Sequence, residues 1–121
     1  MDASQLTETE NRIIQRYIFL PMIRLALERD RQIIAASTVK FRTYYLDWID
    51  DAIHRVIHDL RITKDELFDH HIHMTRHNWL AYQAYTRGRV FDIVYQKSVA
   101  GDWIYERMDR YLSVAKASSS D

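Results

Sequence analysis

The chain contains no cysteine, only two glycines and a single proline among its 121 residues. Without cysteine there are no disulfides, thiolate nucleophiles or zinc-finger ligands, a composition that fits a reducing compartment. So little glycine and proline argues against a many-turned sandwich or barrel and for a few long helices. Two glycines also cannot build a phosphate-cradling loop. Net charge is missing too, because seventeen basic residues balance seventeen acidic ones. A nucleic-acid-binding domain of this size usually carries a basic excess, so nucleic acid is a disfavoured partner. No apolar run approaches the ~20 residues that span a bilayer, and the acidic, polar N-terminus lacks the pattern of a signal peptide. A soluble, cytoplasmic protein is expected.

What is present supports one core. Hydrophobic residues make up 47% of the chain, enough for burial to offset chain entropy in a domain of this length. The expected fold is a single all-α domain, an antiparallel bundle of four to five helices over residues 7–115. A flexible lead-in is expected at residues 1–6 and a disordered tail at 116–121. Thr7 and Glu10 have the spacing of a capping box and start the first helix. Pro21 then breaks or kinks that helix, since it removes a hydrogen bond and disfavours helical geometry at Leu20. Ser37 or Thr38 caps a second helix over roughly residues 39–61, with Phe41, Tyr45, Trp48, Ile49, Ala52, Ile53, Val56 and Leu60 on its apolar face.

Thr63 and Glu66 suggest a second capping box opening a helix over Thr63–Tyr85. At 100° per residue, Glu66, His70, His73 and His77 fall in one row of that helix. Carboxylate and imidazole are good ligands for divalent transition metals, so the row is a candidate metal site, although no HExxH and no paired Glu-x-x-His motif accompanies it. No cofactor is otherwise implied. The same face, as His70, His73 and His77 with Arg87 and Arg89, is a candidate interaction surface. On the opposite face His71, Thr75 and Asn78 read as a structural polar network inside the core, and Asp30 joins the polar core from the first helix. His54 and His58 have the i, i+4 spacing of a metal pair but fall opposite the apolar face of their helix, as solvated residues. Gly88 marks the end of the His-rich helix or sits inside it. Ala100-Gly101 reads as a stop, with Asp102 capping a last helix.

YIFLPMIRLALERDRQII, residues 17–34, resembles the N-terminal portion of the YhjD-like proteins of Bacillus and relatives, which combine an apolar-Leu-Pro helix start with a Leu-Glu-Arg-Asp-Arg stretch. The closing MDRYL, residues 108–112, is compatible with them. The resemblance implies a small soluble bacterial helical protein and brings no activity or site residues.

No catalytic constellation emerges, because the serines sit at termini or loop-like sites outside any nucleophile elbow. The function expected is therefore non-catalytic. The leading reading is a protein-interaction or regulatory module that binds itself, as a dimer, or another protein, using rings left over from a 12% aromatic composition. The alternatives are a metal- or small-ligand-binding bundle using the His-rich helix, and a nucleic-acid-associated protein.

Overall fold

The computed structural model describes residues 5–119, with side chains described to Ser113. Residues 1–4 of the expected lead-in and residues 120 and 121 of the expected tail lie outside the described residues. The order of elements is α1 (Glu8–Ala35), α2 (Arg42–Asp69), β1 (His73–Arg76), β2 (Ala81–Thr86), β3 (Arg89–Val94) and α3 (Lys97–Ser119). The described residues form an α+β fold of three helices and a three-stranded antiparallel sheet, not an all-α bundle of four to five helices.

Helix α1 begins as its sequence predicts. The Glu10 amide donates to Thr7 Oγ1 at 3.1 Å and the Thr7 amide donates to Glu10 Oε1 at 2.8 Å, closing the capping box. Glu8 and Glu10 in the first turn also suit the positive end of the helix dipole. The helix then runs unbroken through Pro21 for 28 residues, because both of its halves bury an apolar stripe that outweighs one lost backbone hydrogen bond. Ser37 closes α1 instead of opening α2, its hydroxyl donating to the Ile34 carbonyl at 2.7 Å. Helix α2 starts at N-cap Phe41 with no side-chain cap.

The larger correction concerns Thr63–Tyr85. No helix starts at Thr63. That residue is fully buried within α2, and its hydroxyl donates to the Asp59 carbonyl one turn back. Helix α2 ends at Asp69, and His71 takes a left-handed backbone with φ 54°. From there the chain is extended. In β2 the buried residues are Tyr82, Ala84 and Thr86, an alternation with the period of two that a half-buried strand requires. Strand β3 carries the β-branched and aromatic run Val90, Phe91, Ile93 and Val94, which favours a pleated surface.

The two outer strands flank β2, with Met74 opposite Ala84 and Ala84 opposite Phe91. Arg87 and Gly88 join β2 to β3 with φ of 54° and 73°. Two successive positive φ values are the signature of the tight hairpin turn whose twist matches its strands. Gly88 thus serves a hairpin, and Gly101 lies inside α3 instead of ending a helix.

The core has two lobes. In one, Ile13, Ile14, Ile18 and Phe19 of α1 bury against Tyr82, Ala84 and Ile93 of the sheet, with Leu67 and Ile72 beside them. In the other, Leu20, Ile23 and Leu27 pack against Ile49, Ala52, Ile53, Val56 and Leu60 of α2. Trp103 and Ile104 of α3 touch both lobes. The Phe19 ring lies 5.2 Å from Trp103 and 4.8 Å from Tyr95, and Trp48 Nε1 donates to the Leu112 carbonyl at 3.0 Å. Each fully buried aliphatic or aromatic side chain contributes about 1.5–3 kcal/mol, which places most of the driving force on α1. No described helix is long and apolar enough to cross a membrane.

Candidate ligand cleft

The end of α2 at Asp69 scatters the histidine row. Glu66 remains on the helix, His70 is its C-cap, His73 opens β1 and His77 lies in the turn after that strand. His73 stands on the outer face of the sheet, its ring 6.4 Å from that of Tyr85. Among the described residues no three histidine, aspartate or glutamate side chains come together as metal ligands. The four polar-core candidates, Asp30, His71, Thr75 and Asn78, are all solvent-exposed. Asn78 shapes the β1–β2 turn, its Oδ1 accepting from the Leu80 amide at 2.9 Å.

Arg87 is engaged within the chain. Its Nη2 donates to Glu10 Oε1 at 2.9 Å and its Nε to Oε2 at 3.1 Å, a two-point pairing that ties the hairpin turn to the start of α1. Burial alone would raise the Glu10 carboxyl, but the hydrogen bonds from Arg87 and Thr7 and the charge of Arg87 outweigh it and hold the group below its ordinary range. Arg89 is exposed at the start of β3.

The side chains with ligand-binding chemistry converge elsewhere, in a cleft of about 760 Å³ between the three helices. Helix α1 presents Arg12, Gln15 and Arg16, one helical face at spacings of three and four. Their neighbours Ile13, Ile14 and Ile18 point the other way into the sheet. Helix α2 presents His54, Arg55, His58 and Asp59, and α3 presents Trp103, Arg107, Arg110 and Tyr111 at the matching four- and seven-residue steps. Leu20 lines the cleft and is almost wholly buried.

Five of the chain's thirteen arginines therefore meet in one place, and no lysine among the described side chains does. The carboxylates near them are already engaged. Asp59 Oδ2 accepts from the Tyr111 hydroxyl at 2.5 Å, and Glu106, on the flank of α3, pairs with Arg107 at 3.3 Å and Arg110 at 3.0 Å. Burial pushes the Tyr111 phenol well above its ordinary range, and the hydrogen bond to Asp59 and the charge of that carboxylate push it further. The positive charges of Arg16 and Arg107 oppose this only in part. Tyr111 is thus held as a neutral donor. The Arg107 guanidinium lies 4.1 Å from the centre of the Trp103 ring, a cation–π contact in the wall of the cleft.

His54 and His58 are exposed, as their position opposite the apolar face of α2 predicts, and α3 makes the space beside them one wall of the cleft. Sequence reasoning passes over Arg12, Arg16, Arg107 and Arg110. The one available signal is the excess of arginine over lysine, which does not say where the arginines meet.

The chain belongs to the YhjD protein family, whose model matches residues 5–116. No curated protein and no solved structure matches it.

Proposed function

We propose that this YhjD-family protein is a non-catalytic, cytoplasmic binding protein whose ligand is a small anionic molecule held in the cleft between α1, α2 and α3. The observation that carries this reading is the convergence of Arg12, Arg16, Arg55, Arg107 and Arg110 on one apolar-walled cleft in a chain of zero net charge. Arginine offers a rigid fork of donors suited to carboxylates and phosphates, where lysine is only a point charge. The size of the cleft falls in the range of ~300–1,000 Å³ typical of small-molecule sites.

Trp103 lines the cleft, so its fluorescence provides the readout. The test is a titration with aromatic carboxylates, sulfonates and phosphates. Saturable one-to-one binding is expected for at least one of them. It should be lost in the Arg16→Gln/Arg107→Gln variant while the fold, followed by circular dichroism, is kept. An absence of saturable binding by every anion at millimolar concentration overturns the reading.

A second reading, an interaction or regulatory module that pairs with itself, is supported by a run of exposed apolar side chains around the α1–α2 turn. Ile33, Phe41 and Tyr44 are 61%, 60% and 57% exposed, with Val39 and Tyr45 exposed beside them. Groups of this kind mark protein contacts more often than isolated exposed side chains do. Light scattering after size exclusion tests it. A dimer that dissociates in Phe41→Ser/Tyr44→Ser supports the module, and a monomer at about 100 μM removes it.

A further inference from the structure

We infer that the ligand of this cleft is an organic phosphate, a phosphomonoester whose dianionic head is held by guanidinium forks and whose apolar body lies along the Leu20, Trp103 and Tyr111 wall. This rests on the cleft being a ligand site and goes further, naming the head and the body.

The head follows from charge and donor count. Leaving Arg55 to its own contacts, Arg12, Arg16, Arg107 and Arg110 meet the two carboxylates Asp59 and Glu106. That leaves a formal surplus of two positive charges. A carboxylate carries one charge and two oxygens, which a single arginine fork satisfies. A phosphomonoester carries about −1.5 to −2 at neutral pH and three terminal oxygens, so it can accept from forks on more than one helix at once. Here the forks come from two helices, α1 and α3. The Asp59 charge is already counted in that surplus, and its Oδ2 is taken up by the Tyr111 hydroxyl.

The body follows from volume and wall chemistry. A cleft of about 760 Å³ is far larger than an inorganic anion requires. Its apolar lining includes Leu20, Trp103 and the ring of Tyr111, with the Arg107 guanidinium over the indole. A bare inorganic phosphate would leave that apolar surface wet, whereas an aromatic or aliphatic body removes it from water.

The deciding experiment compares 1-naphthyl phosphate, 1-naphthoate and inorganic phosphate by calorimetry at pH 7.5 on the full-length protein. The naphthyl phosphate should bind at least tenfold more tightly than either of the others. In Arg110→Gln, which removes the charge and gives up only a solvated pair with Glu106 at a side chain 67% exposed, its affinity should fall at least tenfold while circular dichroism shows the fold kept. Naphthoate binding as tightly as the phosphate overturns the assignment of the head while the anion cleft stands. Inorganic phosphate binding as tightly overturns the assignment of the body. Failure of all three, in a protein that also ignores sulfonates, removes the cleft as a ligand site altogether. Vesicles containing phosphatidic acid separate a lipid headgroup from a soluble ester. Sedimentation with them that naphthyl phosphate cannot compete away overturns the soluble ligand.

Discussion

Replacing Arg87 tests both the hairpin and its attachment to α1. Its guanidinium pairs at two points with Glu10, whose side chain is only 8% exposed, while that of Arg87 is 36% exposed. Breaking a buried pair costs about 3–5 kcal/mol and breaking a solvated one about 0–1 kcal/mol. This pair lies between those limits. Arg87 is partly wet, and Glu10 Oε1 keeps the Thr7 amide at 2.8 Å, so Arg87→Ala should destabilise the protein by about 2 kcal/mol. That corresponds to a fall in Tm of about 6–8 °C for a domain of this size. Arg87→Gly loses the same pair but relieves a φ of 54°, which costs a side-chain-bearing residue about 1 kcal/mol. It should therefore be about 1 kcal/mol more stable than Arg87→Ala. Urea unfolding of both variants, with Glu10→Gln completing a double-mutant cycle, measures each part separately. A loss under about 0.5 kcal/mol for Arg87→Ala would show that the ion pair is idle. A glycine variant as unstable as the alanine variant would refute the strained turn.

The other predictions concern the same scaffold. Glu10 is held below its ordinary value of 4.5 when folded, so the unfolded chain binds its proton more readily. Its stabilisation is fully present above that value and is lost as pH falls through the folded one. Stability measured from pH 5.5 downward should fall less steeply in Glu10→Gln than in the parent. Pro21→Ala restores a donor inside a continuous helix and should raise stability by about 1–3 kcal/mol, read by thermal unfolding. Any loss would mean that the proline shapes the packing of α1. His71→Gly, at an exposed residue with φ 54°, should stabilise by about 0.5–1 kcal/mol in the same assay.

The parts whose causes are local could be read from the residues alone. The Thr7–Glu10 box, the Ile49, Ala52, Ile53, Val56 and Leu60 part of the α2 stripe and the outward position of His54 and His58 all depend on residues within a few turns of each other, whereas Phe41 and Tyr45, expected on the same stripe, are exposed. The YIFLPMIRLALERDRQII stretch likewise pointed to the family to which the chain belongs. The sheet left a signal that the all-α expectation missed, the alternation of Tyr82, Ala84 and Thr86 and the β-branched run of β3. Helical periodicity hid it, because His73 and His77 stand four apart and fit a helix row equally well. That α2 stops at Asp69 depends on long-range packing, since Ile72, next to the left-handed turn at His71, buries into the sheet lobe. The candidate site was not legible at all. Arg12 and Arg16 stand some ninety residues from Arg107 and Arg110, and each pair alone resembles an ordinary solvated helix face. The packing of α3 across both core lobes, through Trp103 and Ile104, turns those faces toward one another. A cleft is made by the approach of distant surfaces, and no periodicity within one helix records what that helix will face.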